Sequence, residues 1–234
     1  VAWRGQAGFG WVWFYFYEVT SMNSVQIGRQ RFSNIFWGIV DERVDDYPYE
    51  VIEKIVEDQQ KLRADADYNT GSVPYDDAVE LYKLAKFFQP KIIAEVGTFI
   101  GVSTTVMYEA CKGEVDIYTC DVSNDIKLNL PFHVHQYPKT SSTDMFKDLA
   151  DKKVNVDLLY LDGRLQQEDF QYFPKIIHDQ TIFVFDDFEG IEKGVVNAMM
   201  LEGANRLLIY PRESRKTAVS LPFTLLHFVP QEAT

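Results

Sequence analysis

From Lys91 onward one pattern recurs: a short apolar run, a polar residue at its end, then a segment with helical spacing. The runs read "KIIAEV", "VDIYTCD", "VDLLYLDG" and "TIFVFDD", with a shorter one, "FHVHQY", after the second. Strands that are apolar throughout must be buried on both faces. Repeated strand–helix units then require a parallel sheet covered by helices on both sides and joined by right-handed crossovers. The expected fold class is α/β. Further on, a helix around "KGVVNAMMLEG" leads to "RLLIY", and "FTLLHFV" is expected to close the sheet as the second arm of an antiparallel hairpin, with "TAVSL" competing for that place.

Upstream, "DDYPYEVIEKIVEDQQKLRADAD" opens on acids and Pro48 and carries Val51, Ile52, Ile55, Val56 and Leu62 at helical spacing. A second helix runs through Ala78, Leu81, Leu84 and Phe88 to a stop at Pro90. The 234 residues suit one domain with an accessory segment, divided here into an extension over 1–44 and a domain over 45–234. The opening "VAWRGQAGFGWVWFYFYEVTSMNSVQ" reads as an upstream remnant with a natural start at Met22; the alternative is an aromatic lid or a homodimer contact. Its Trp11–Tyr17 run is too short to span a bilayer, and no membrane association is expected.

Net charge is −12, and no basic stripe offsets it, so nucleic acid is excluded as the expected partner. The two cysteines, Cys111 and Cys120, fall in apolar segments and read as core thiols of a cytoplasmic protein. The four histidines have no metal-ligand spacing and read as core or surface residues.

In such sheets a ligand sits beyond the carboxyl ends of the strands, at the point where strand order reverses. Polar residues stand at all five of those ends: Glu95 to Gly101, Asp121, Ser141 and Ser142, Asp162 with Gly163, and Asp186 with Asp187. The first turn, "AEVGTFIGVSTT", lacks the middle glycine of a dinucleotide fingerprint, because Phe99 stands there, and its bulk is expected to obstruct a pyrophosphate. No Lys follows Gly101, so it is not a P-loop. What remains is a turn whose amide groups can receive a carboxylate, an acid at Glu95 for an ammonium group, and an acceptor at Asp121 for two ribose hydroxyls. S-adenosylmethionine has that chemistry.

This ordered set resembles the class I S-adenosylmethionine-dependent methyltransferases. Its spacing is most similar to the small-molecule O-methyltransferase branch with the catechol, caffeoyl-CoA and macrocin-type enzymes, and "TGSVPYDDAVELYKLAKFF" is similar to the segment before the first strand there. The likeness spans Tyr68 to Val229. It implies a Rossmann-like methyltransferase fold, with a mostly parallel seven-stranded sheet whose last strand is antiparallel. It implies S-adenosylmethionine held by Val73, Glu95, Gly97, Thr98, Phe99, Gly101, Ser103, Asp121, Val122, Ser141, Ser142, Asp162 and Gly163. Adenine would lie near Val122 and Ser142, ribose on Asp121, and the methionine end near Glu95, Gly97 and Ser103.

Asp162, Asp186 and Asp187 end two neighbouring strands, and an all-oxygen set of that kind suits Mg²⁺. In the resembled branch such acids hold a metal that orients a substrate hydroxyl, so Mg²⁺ is expected on these three residues. The branch's usual His after the acid–Gly pair is missing: "DGRLQQEDF" has Arg164 and Leu165. Deprotonation then falls to Asp162 or to the metal, and Arg164 is a candidate partner for the acids or for an anionic substrate. The expected activity is methyl transfer to a hydroxyl of a small molecule. A non-catalytic S-adenosylmethionine-binding protein and a nicotinamide-dependent oxidoreductase are the alternatives.

Overall fold

The computed structural model describes residues 28–65, 71–122, 128, 133–203 and 205–228. The sheet strands are β1 (Ile92–Val96), β2 (Asp116–Asp121), β3 (Val134–Pro138), β4 (Val156–Leu161), β5 (Ile177–Phe185), β6 (Arg206–Ile209) and β7 (Ala218–Pro222). They form one sheet in the order β3-β2-β1-β4-β5-β7-β6. β1 pairs in parallel with both β2 and β4, so strand order reverses there. β7 lies antiparallel between β5 and β6.

The helices are α1 (residues 28–43), α2 (Tyr49–Gln60), α3 (Tyr75–Phe88), α4 (Val102–Ala110), α5 (Ser142–Asp151), α6 (Phe173–Ile176) and α7 (Val196–Leu201). Alternation along the strands divides the core into two. Ile93, Ile117, Leu158, Tyr160, Ile182 and Val184 pack with α1 to α4, whereas Ala94, Val96, Cys120, Leu159, Leu161, Phe183 and Phe185 pack with α5 to α7. This two-sided burial is what makes the strands continuously apolar.

Three elements differ from the sequence expectation. "FTLLHF" is not a strand but a 3₁₀ helix over Phe223–Phe228, and the last strand is "AVSLP". Every residue of β7 is buried, which small Ala218 and Ser220 allow between two partner strands, while Phe223 is exposed. The segment after β4 holds only a 3₁₀ turn (Gln167–Gln171) and the four-residue α6, and β5 starts four residues earlier than expected.

Residues 1–21 and Met22 lie outside the described residues, so neither reading of the aromatic opening is addressed. The boundary at 44/45 does not separate a loose segment from a packed body. Phe36 and Val40 of α1 are fully buried in the first core. Trp37 Nε1 donates to Tyr210 O at 2.9 Å, Tyr210 N donates to Ser33 Oγ at 2.9 Å, and Arg212 grips both carboxylate oxygens of Asp41. Arg212 Nε also stands 3.0 Å from Glu80 Oε1, but neither Glu80 oxygen has an aligned hydrogen-bond donor.

Burial therefore prevails over Arg212 and pushes the Glu80 carboxyl from 4.5 up to about 7. In that interval the folded state holds a proton that the unfolded chain has released. The stabilisation from proton binding is complete below pH 4.5 and is lost as pH rises to 7. Wild type should lose up to about 3 kcal/mol relative to Glu80→Gln across this window. Parallel denaturant melts at pH 5 and pH 8 measure it, and parallel pH profiles for the two proteins would contradict it.

Candidate active site

A cleft of about 380 Å³ opens at the carboxyl ends of β1, β2 and β4. Its walls are Val96, Gly97, Cys120, Asp121, Val122, Ser141, Ser142, Asp162, Gly163, Arg164 and Gln166. Gly97, Asp121, Val122, Ser141, Ser142, Asp162, Gly163 and Arg164 were candidates from sequence, and the topology gathers them from four separate segments.

Gly97 makes the cleft geometrically feasible. Its φ is +105°, and a Cβ there would stand 3.1 Å from both Asp162 C and Gly163 N. Only glycine lets the ends of β1 and β4 approach so closely. The turn that follows is closed on itself. Gly97 N and Thr98 N both donate to Cys120 O, Phe99 N donates to Asp121 Oδ2 at 2.8 Å, and Gly101 N donates to Thr98 O. These four amides do not offer themselves to a carboxylate, contrary to the expectation above; three close the turn on backbone carbonyls and the fourth, Phe99 N, positions Asp121. The carboxylate, 5% exposed, faces the cleft at the end of β2.

Two further expectations change. Phe99 does not shield the cleft, because its ring is buried in the first core beneath the Arg63 guanidinium, 5.5 Å from the ring centroid. Glu95 offers no surface to a ligand: it is 0% exposed and accepts hydrogen bonds from Ser103 and Thr104 in the first turn of α4. Burial raises its pKa against the pull of those hydroxyls and Thr119. Glu95 and Ser103 thus pin α4 to the sheet, and Thr98, whose hydroxyl meets that of Thr119 at 2.5 Å, lies in the same buried layer. Gly101 caps α4 with φ +78°.

On the other wall, Ser141 caps α5 by accepting from Asp144 N. Ser142 donates to Asp169 Oδ2, and Gln166 N donates to the same oxygen at 2.8 Å. Fully buried Asp169 ties the α5 start to the loop after β4, a role sequence reasoning missed. Asn197 of α7 holds the same loop, accepting from Leu165 N and donating to Gly163 O.

Asp162 also lines a second cavity of about 100 Å³ with Gly71, Ser72, Val73, Pro74, Asp186, Asp187, Lys193 and Lys216. Val73 belongs there and not to the larger cleft. The Lys193 ammonium stands 2.8 Å from Asp162 Oδ1 and contacts Asp187 Oδ2. Burial opposes its charge, but Asp162 and Asp187 outweigh this and raise its pKa. Burial first, then Asp186, raises the Asp162 carboxyl despite Lys193. Burial likewise raises Asp186.

This arrangement does not fit Mg²⁺ on Asp162, Asp186 and Asp187. Two of the three acids already hold an ammonium ion, and each unit of added positive charge at 4 Å would be repelled by roughly 4 kcal/mol. Among the described residues no group of three or more His, Cys, Asp or Glu is arranged to hold a metal. Two of the three expected metal ligands, Asp162 and Asp187, are thus the partners of a lysine. Sequence offered one signal, a single Lys six residues beyond the paired acids. Among the remaining candidates, His133 and His178 contact Asp116 and Asp157, and both cysteines are buried.

No family model matches the sequence, and no curated protein aligns with it. Solved structures do match in shape. A candidate O-methyltransferase from Klebsiella pneumoniae superposes with a TM-score of 0.54 at 12% identity, covering 78% of this chain and 93% of that one. An O-methyltransferase from Bacillus cereus in complex with SAH gives 0.52 at 12% identity, covering 77% and 93%. The chain shares its fold with these methyltransferases. TomG of Streptomyces achromogenes, an O-methyltransferase involved in tomaymycin synthesis and solved with SAM, matches at 0.50 and 15% identity over 74% and 89%. Within this methyltransferase fold the larger cleft lies at the β1 switch point, where ligands of open α/β sheets bind. No helix of the described residues is long and apolar enough to cross a membrane.

Proposed function

We propose that the chain transfers the methyl group of S-adenosylmethionine to a hydroxyl of a small molecule. The observation that carries this is a cleft with a carboxylate at the end of β2, Asp121, oriented by the Phe99 amide, in a turn whose other amides are spent on Cys120 O and Thr98 O and are not presented to a phosphate. Such a site favours a diol over a diphosphate. Its size suits a nucleoside-sized molecule. The walls divide accordingly: Asp121 for ribose hydroxyls, Val122, Ser141 and Ser142 for adenine, and Gly97, Asp162 and Gly163 for the methionine end. When bound, the cofactor supplies an electrophilic methyl group.

The chain supplies position and a proton acceptor. Asp162 belongs to both cavities, so a hydroxyl in the smaller one lies beside the donor cleft. Its raised pKa suits receipt of the hydroxyl proton. Holding both reactants in fixed register contributes the larger part of such a transfer. Arg164, exposed on the cleft rim, is placed to meet an anionic part of either reactant. The net charge of −12 supports a small-molecule acceptor over nucleic acid.

Calorimetry with S-adenosylhomocysteine should give saturable binding, with NADH giving none. A panel of phenols, catechols and sugars with S-adenosylmethionine should then yield a methylated product. No binding of S-adenosylhomocysteine at millimolar concentration would refute the cofactor assignment; binding without product would favour the non-catalytic alternative.

A further inference from the structure

We infer that Lys193 is a built-in replacement for a divalent cation: its ammonium neutralises Asp162 and Asp187 and receives the acceptor's oxygen in the smaller cavity. The part concerning the acceptor rests on the methyl-transfer reading; the part concerning the cation does not.

The position of Lys193 is constructed by the backbone. Residues Ile191–Val195 form a π-helical turn that leads into α7. Such turns are rare and concentrate at functional sites. The turn lies against the Asp186–Asp187 backbone so tightly that a Cβ on Gly194 would stand 2.2 Å from Asp186 O and 2.8 Å from Phe188 N. Glycine at 194 is the condition for this contact, and the contact carries the neighbouring Lys193 over the acids. Asp187 contributes from its own side by adopting φ +51°, a left-handed conformation that Asp tolerates.

An ammonium has three N–H donors. Asp162 and Asp187 engage it on two sides, yet its side chain keeps 31% exposure in a cavity bounded by Ser72, Val73 and Lys216. Lys216, ion-paired to Glu189, adds a second positive group to that wall. An oxygen placed there meets Lys193 on one side and Asp162, shared with the donor cleft, on the other. A charge-assisted contact to an ammonium favours the anionic form of a hydroxyl. The acceptor class is therefore an acidic hydroxyl, such as a phenol or an enol, and not a sugar alcohol.

The experiment uses Mn²⁺ as probe, followed by loss of the free-ion EPR signal, on wild type, Lys193→Gln and Lys193→Arg. Wild type and Lys193→Arg should bind no Mn²⁺ at the acids, while Lys193→Gln should gain a site about 100-fold or more tighter. Adding Asp187→Asn to Lys193→Gln should remove that gain. Binding to wild type that Asp187→Asn abolishes would overturn the inference, because the acids would then take a metal despite Lys193. Absence of binding in Lys193→Gln, confirmed folded by circular dichroism, would overturn it equally. Affinity for S-adenosylhomocysteine is read in parallel. Its absence in every protein sinks the cofactor reading alone and leaves the Mn²⁺ result standing.

Discussion

Replacing Gly97 by Val should abolish cofactor binding and weaken the fold in one step. The residue sits at φ +105°, a region costly for any side chain, and its Cβ would meet the backbone of Asp162 and Gly163 at 3.1 Å. Neither contact is with a flexible side-chain end. Relief requires the ends of β1 and β4 to separate, which would break the Asp162 N to Val96 O hydrogen bond of 3.0 Å and displace the cleft floor. Stability should fall by about 2–4 kcal/mol, and affinity for S-adenosylhomocysteine by about 100-fold or more. Differential scanning fluorimetry and calorimetry measure the two effects separately. A variant that keeps wild-type affinity would place the cofactor elsewhere.

The second large effect is expected at Asp121. Alanine there removes the carboxylate proposed for the ribose hydroxyls and leaves the buried Phe99 amide without its 2.8 Å acceptor. Hydrogen bonds to a charged group contribute about 1.5–3 kcal/mol each. Losing the ligand contacts and the turn's anchor together should reduce affinity by about 10²- to 10³-fold. Asp121→Asn retains an acceptor for Phe99 N, so its loss should be about tenfold. The ordering wild type, Asn, Ala is the diagnostic. Equal affinity in wild type and Asp121→Ala would remove the nucleoside assignment from this cleft.

The sheet was readable from sequence because burial on both faces leaves a mark on the central strands β1, β2, β4 and β5; β3, at the edge, is only partly buried and carries a weaker one. The residue after each strand was readable as well, since position at the carboxyl end follows from chain direction alone. Side-chain ownership was not. Glu95 and Phe99 each stand two residues from Gly97, yet one side chain turns to α4 and the other into the first core; the deciding partners, Thr104 and Arg63, are not adjacent to them in sequence. Lys193 was hidden for a similar reason. Its role depends on a π-turn and on the missing side chain of Gly194, neither of which hydrophobic periodicity records. The final strand was misassigned because "FTLLHF" is the more apolar run, whereas the slot between β5 and β6 favours the smaller side chains of "AVSLP".

The docking of α1 has a consequence for biogenesis. Asp41 is 171 residues from Arg212, and Trp37 is 173 residues from the Tyr210 carbonyl that receives its indole N–H. At roughly 5–20 residues per second, a ribosome needs about 9 to 34 seconds to travel between them. Throughout that interval the Trp37 indole and the Asp41 carboxylate lack these two partners, so α1 completes its docking only when the last hairpin emerges.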